Sequence, residues 1–158
     1  MEIILYRKRT NELYTEGQIF INDDFQTCTV EATDIMLPAD RYILRIVKKS
    51  ERKQSLVIFR YDGTSTGWRL DMGASFIDSR KELTIAIGRP LIPGTVYKST
   101  KDYERLTDRF SKCTARGEQM YLIITDRGCK PCQIIKHWVT DYAADKEPVE
   151  LTPIPLPQ

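Results

Sequence analysis

The sequence predicts a single α+β domain, dominated by antiparallel β-strands, with one or two helices near the C-terminus. Three observations carry that expectation. Apolar and polar residues alternate at period two through much of the first two-thirds of the chain, turn chemistry punctuates those runs, and helical spacing of apolar residues appears only after Ser99. A chain of 158 residues suits one domain with its own core.

Residues 1–9 are a short apolar run that enters a basic stretch. Residues 13–22 alternate, with Leu13, Thr15, Gly17, Ile19 and Ile21 on one face and Tyr14, Glu16, Gln18, Phe20 and Asn22 on the other. Asn22-Asp23-Asp24 is turn chemistry, because short carboxamide and carboxylate side chains tolerate left-handed backbone. Residues 25–31 return as the partner strand of a hairpin. Leu37-Pro38-Ala39-Asp40 breaks the pattern, and residues 41–47 and 55–61, rich in Ile, Val, Leu and Tyr, form the next strands. The basic run Lys48-Lys49-Ser50-Glu51-Arg52-Lys53 between them reads as a solvated loop. Residues 62–67 read as a turn and lack the lysine and following helix of a phosphate cradle. Residues 68–70 begin another strand, and residues 83–87 form one ended by Gly88.

Ser99-Thr100-Lys101-Asp102 fits a capping box, a hydroxyl followed three residues later by a carboxylate, each satisfying an orphan amide. Tyr103, Leu106, Phe110 and Cys113 then form one apolar stripe, which predicts a helix near residues 100–113. Residues 120–125 are a last strand. Residues 131–144 predict a second helix, with Pro131 in its first turn and Ile134, Ile135, Trp138 and Tyr142 on one face. Pro148, Pro153, Pro155 and Pro157 remove amide donors from the tail and favour an extended polyproline-type segment, either a loose tail or an arm laid on a partner. The expected organisation is a β-rich unit over residues 1–126 and a C-terminal helix with a proline-rich arm over 127–158. Trp68 and Trp138 are expected to serve packing.

With 24 basic and 22 acidic residues, net charge is +2, and nothing points to nucleic acid as a partner. No apolar run approaches the roughly 20 residues needed to cross a bilayer. Glu2 precedes a very short apolar run and the basic residues follow it, the reverse of a secretory signal, so a chain made and used without Sec export, in the cytoplasm, is expected. Four cysteines in that setting are expected as reduced thiols.

Five pieces, in order, carry a resemblance. They are LYTEGQIFINDDFQTCTVE at 13–31, LPADRYILRI at 37–46, LDMGASFIDSRKELTIAIG at 70–88, STKDYERLTDRF at 99–110, and the closing strand at 120–125. Together they resemble an uncharacterised family of phages and bacterial prophages linked to the L,D-transpeptidase-like catalytic fold. The third piece lies where that family has IHSGNTxxDTEGCILVG. The family's histidine falls on Asp71, its glycine on Gly73, its glutamate on Glu82, and its glycine-cysteine pair on Leu83-Thr84. The loop here is also one residue longer.

In the chemistry the resemblance implies, a cysteine thiolate attacks an acyl carbon and a histidine takes the proton. An aspartate titrates near pH 4 and is no substitute for imidazole near neutrality. Threonine is a poor nucleophile without a base. Leu83 replaces a glycine that lets backbone approach substrate closely. The expectation is therefore a non-catalytic binding or assembly protein, a phage or prophage particle component that meets other protein chains in an oligomer or larger assembly. A peptidoglycan peptide hydrolase or transpeptidase, with a Thr84 nucleophile and Asp71, is the alternative. Should the alignment be wrong, Cys28, Cys113 and His137 are the spare Cys and His residues. Cys28 and Cys113 read first as small core residues.

Arg127-Gly128-Cys129-Lys130-Pro131-Cys132 follows a predicted strand and opens a predicted helix, the setting of a thioredoxin-type thiol pair. A zinc site is the other reading, with Cys129, Cys132 and His137 as ligands and Cys113 as a fourth. A single CxxC lacks the two-plus-two spacing of a strong zinc signal. The bland reading, two cysteines at a helix start with no cofactor, stands beside both.

Overall fold

The computed structural model describes residues 1–50, 53–73 and 75–132. Among the described residues ten strands and two α-helices follow in chain order. They are β1 (Glu2–Thr10), β2 (Tyr14–Ile21), β3 (Asp24–Ala32), β4 (Arg41–Ser50), β5 (Lys53–Phe59), β6 (Ser65–Met72), α1 (Phe76–Glu82), β7 (Thr84–Pro90), β8 (Val96–Tyr97), α2 (Thr100–Ala115), β9 (Met120–Thr125) and β10 (Lys130–Pro131).

The alternating pattern of the sequence becomes a sheet closed on itself. Neighbours run β1-β2-β3-β7-β6-β5-β4-β9, and β9 pairs back to β1, so eight strands close a barrel. Closure removes both sheet edges. Most neighbours are antiparallel, but β1 pairs β9 in parallel, and β6 pairs β7 in parallel through α1. The β2–β3 hairpin turns on Asn22 and Asp23, both at positive φ (51° and 65°), which short polar side chains tolerate. Asp62 nucleates the β5–β6 turn by accepting from Thr64 N (2.9 Å) and Thr64 Oγ1 (2.7 Å).

Inward-facing side chains fill the barrel. Ile3, Leu5, Ile19, Ile21, Leu44, Leu56, Ile58, Trp68, Leu70, Ile85, Ile87, Leu122 and Ile124 are all buried in one cluster. Trp68 thus packs as expected; Trp138 lies outside the described residues. The helix α2 begins at Ser99, whose Oγ accepts from Asp102 N at 3.2 Å. Its Leu106, Phe110 and Cys113 enter the same core, and it touches β3, β4, β6, β7 and β9, so it covers one end of the barrel. Fully burying such side chains stabilises by about 1.5–3 kcal/mol each.

Three expectations need correction. Helices are not confined to the C-terminal part: α1 lies mid-chain, between β6 and β7. Its signal was present, since Ser75 and Asp78 stand three apart and Ser75 Oγ accepts from Asp78 N (3.3 Å). Pro131 sits in β10 rather than in a helical first turn, paired with Thr10 of β1. The remainder of that expected helix, residues 133–144, lies outside the described residues, as does the tail. The basic run at 48–53 is not a loop throughout: Lys48 and Ser50 belong to β4 and Lys53 to β5, where Lys48 pairs with Gln54 and Ser50 with Lys53.

Candidate functional site

The ledge that the resemblance singles out lies on the outer face of β6 and β7. Leu70, Ile85 and Ile87 point into the barrel core, so Asp71, Thr84 and Ala86 point outward. In the parallel ladder Asp71 stands opposite Ala86, and Thr84 opposite Arg69, two positions away. Asp71 is half-exposed. Its Oδ2 lies 3.6 Å from Arg69 Nε and its Oδ1 accepts from Met72 N at 2.8 Å. Thr84 is 3% exposed, beside α1, whose Ser79 hydroxyl donates to the Thr84 carbonyl. A nucleophile and its base need hydrogen-bond contact, about 2.6–3.2 Å. The register holds Asp71 and Thr84 apart.

The other residues of this ledge have architectural positions. A Cβ on Gly73 would lie 1.9 Å from Ala86 Cβ, so the bare backbone is what lets the chain cross β7, where Gly73 N donates to Ile87 O (3.1 Å). Glu82 is exposed on the last turn of α1. Leu83 ends that helix in the left-handed conformation (φ 54°, ψ 53°) and is 40% exposed. Glycine is the usual residue at such a position because a Cβ there is strained.

The cysteines are divided by the length of β1. Cys113 is fully buried at the end where β1 begins, its Sγ 3.6 Å from Glu118 Oε2. Cys129 and Cys132 flank β10, at the other end, where Cys132 N donates to Thr10 O (2.8 Å). Cys113 therefore does not join the CxxC pair; His137 lies outside the described residues. Among the described residues no cluster of three or more His, Cys, Asp or Glu forms a metal site. All four cysteines are free thiols. Burial pushes the Cys129 and Cys132 thiols above their usual range, and the charge of Asp126 adds to the rise at Cys129. The expected helix N-terminus that would favour a thiolate is replaced by a strand at Lys130–Pro131.

Two features escaped the sequence reading. The first is a polar layer inside the barrel. Arg7 and Glu31 are 1% and 0% exposed. Arg7 Nε and Nη2 donate to the two Glu31 carboxylate oxygens (3.1 and 2.8 Å), Nη1 donates to Asp126 Oδ1 (3.1 Å), and Nη2 also donates to Leu37 O (2.6 Å). Burial works against the Arg7 cation, but the hydrogen bonds and charge of Glu31, with Asp126, outweigh it and hold its pKa above the ordinary value. Gly17 lies at this level; a Cβ there would meet Thr29 Oγ1 at 2.8 Å and Tyr6 O at 2.7 Å. The alternation of residues 3, 5 and 7 was the available signal, since it places Arg7 on the same face as Ile3 and Leu5.

The second feature is a cleft of about 420 Å³ on the outer face of β1–β3, walled by Pro90, Leu91, Ile92 and Pro93 and floored in part by Cys28. Glu16 fixes that wall: its Oε1 lies 2.9 Å from Arg9 Nη2 and its Oε2 accepts from Gly94 N at 3.3 Å. Cys28 is half-buried on this outer face, not inside the barrel, and burial, then the Glu16 charge, raises its pKa. Behind the wall, Tyr14, Val30, Phe76, Ala86 and Val96 make a second, smaller core between the barrel and α1.

No family model, curated protein or solved structure matches the chain.

Proposed function

We propose that this chain is a non-catalytic binding or assembly protein, a phage or prophage particle component that uses a transpeptidase-like barrel as a scaffold for contacts with other protein chains. The single observation that carries the reading is the split of the ledge: Thr84 is buried beside α1 while Asp71 is held by Arg69, two positions out of register. Acyl transfer by that pair needs direct contact and a base that works near neutrality. The ledge residues are instead accounted for by packing, by a strand crossing at Gly73 and by a helix end at Leu83. No helix among the described residues is long and apolar enough to cross a membrane.

The test is incubation of the purified chain with muropeptides, followed by mass spectrometry, alongside sedimentation velocity. The expected result is unchanged muropeptides and a sedimenting species larger than one chain. Turnover that disappears in Thr84→Ala or Asp71→Asn would install the cell-wall enzyme in its place.

A further inference from the structure

We propose that the outer cleft of β1–β3 binds a small apolar monoanion, a free carboxylate with a medium-length hydrocarbon chain. The inference goes beyond the assembly reading and does not depend on which chains the barrel meets.

A break in the strand pattern puts the charge in place. Arg7 of β1 stands opposite Gly17 of β2, and Arg9 stands opposite Glu16, so Lys8 is the extra residue of a β-bulge. Strict alternation would send Lys8 outward and Arg9 into the barrel beside Arg7. The bulge brings Lys8 and Arg9 together at the cleft, the kind of re-aiming that bulges perform. The two cations are then used differently. Arg9 is neutralised by Glu16 at 2.9 Å, and that carboxylate also accepts from Gly94 N. Lys8 is exposed and has no carboxylate partner among the described residues; its ammonium rests over the Tyr6 ring, 5.1 Å from the centroid. Lys8 and Arg9 against Glu16 leave the lining with a net charge of +1, which suits a single negative charge.

The rest of the cleft suits a chain with one polar end. Leu91, 60% exposed, stands on the wall with Pro90, Ile92 and Pro93. On the floor Gln18 and Cys28 stand opposite each other in β2 and β3, and the Gln18 carboxamide makes no hydrogen bond among the described residues. Thr95 also lines the cleft, is 9% exposed, and its buried hydroxyl has no hydrogen-bond partner among the described residues. Buried hydroxyls are nearly always paired, and one left open beside a cleft marks where a bound polar group belongs. A cavity of about 420 Å³ with an apolar wall, a few polar groups and a wall fixed in advance by Glu16 has the make-up of a small-molecule site. Lys8 supplies the charge, Gln18 an amide donor, and Leu91 and the prolines a cover for the hydrocarbon. An anion without a chain would leave that wall bare, and a cation would meet Lys8.

Cys28 in the cleft floor reports occupancy. Its alkylation by iodoacetamide is followed by peptide mapping in the full chain, at one pH, as sodium octanoate is added, with Cys129 as the internal reference. At about four times the half-protecting concentration Cys28 should react about fivefold more slowly, with Cys129 unchanged. Butyrate has the charge without the chain, and octylammonium has the chain with the opposite charge; neither should protect at the same concentration. Lys8→Glu, a change at an exposed position, should raise the half-protecting concentration of octanoate about fivefold, with circular dichroism confirming the fold. Cys28 rates unmoved by octanoate overturn the proposal. So does equal protection by octylammonium, or undiminished protection by octanoate in the Lys8→Glu chain, because the cleft would then act as plain apolar surface. None of these outcomes touches the assembly reading, which muropeptide turnover and sedimentation decide.

Discussion

Arg7 and Glu31 meet inside the barrel; Asp71 and Thr84 sit on its outer ledge. Both sets place polar side chains on neighbouring parts of one closed sheet, yet they are built differently. Inside, two almost fully buried residues share two hydrogen bonds, and the guanidinium reaches two further acceptors. Outside, the carboxylate is half in solvent, the hydroxyl residue is buried, and the strand register keeps them apart. The contrast teaches that the tightly knit polar group here is a piece of architecture, and that the two residues aligned with the resembled family's catalytic pair are not joined. Buried and mutually satisfied charge is costly to disturb, whereas an exposed ion pair contributes little.

That difference breaks most readily at Glu31. Glu31→Gln leaves the buried Arg7 cation without its bidentate partner and should cost about 3–5 kcal/mol in urea unfolding. The paired replacement Arg7→Met/Glu31→Leu removes both buried charges and should lose less than Glu31→Gln alone, because the one carboxylate that loses its partner, Asp126, is half in solvent. A double replacement that costs as much as the sum of two large single losses would mean the layer acts through shape, not charge. Asp71→Asn, by comparison, should stay within about 0.5 kcal/mol of the parent.

Tyr14 gives a sharper reading of the outer layer through pH. Its ring is buried against Phe76, its hydroxyl lies near Cys132 and Asn11, and burial, then the charge of Cys132, lifts its pKa from 10.0 to about 12. The folded state therefore holds the phenol proton more tightly than the unfolded chain does. Stability from this group is fully present below pH 10 and is lost as pH rises from 10 towards about 12, an effect on the order of 2 kcal/mol. Tyr14→Phe should flatten that alkaline loss in denaturant titrations while changing neutral stability much less than Glu31→Gln. An unchanged alkaline limb would assign the loss to other groups.

How far the sequence announced all this differs between the two regions. The hairpin at Asn22-Asp23, the capping of α2 and the inward face of β2 follow from local chemistry, and local chemistry is legible in one chain. Closure of β1 onto β9 is not: those strands are far apart in sequence, and their parallel pairing depends on the curvature of the whole sheet. The Arg7–Glu31 layer was legible only in part: the alternation of residues 3, 5 and 7 puts Arg7 on the inward face, but its pairing with Glu31 depends on the closed barrel. At the ledge the resemblance drew attention to residue types. Only the register between β6 and β7 decides which of them touch, and α1, capped by Ser75, decides that Thr84 is covered.

Leu83 turns the comparison into a small gain instead of a loss. It occupies φ 54°, ψ 53° at the end of α1, with its N–H closing the helix onto Ser79 O, and its side chain is 40% exposed. A left-handed leucine costs roughly 1–2 kcal/mol of local strain, and glycine removes that strain while giving back part of it as extra freedom in the unfolded chain. Leu83→Gly should therefore raise stability by about 0.5–1 kcal/mol, readable as a higher urea midpoint at unchanged slope. The same variant also opens the backbone at the ledge. If the ledge is architectural, as its split geometry argues, that access should bring stability and no muropeptide turnover; destabilisation would mean that the Leu83 side chain, which lies 4.0 Å from a Cβ built at Gly67, supplies packing worth more than the strain it carries.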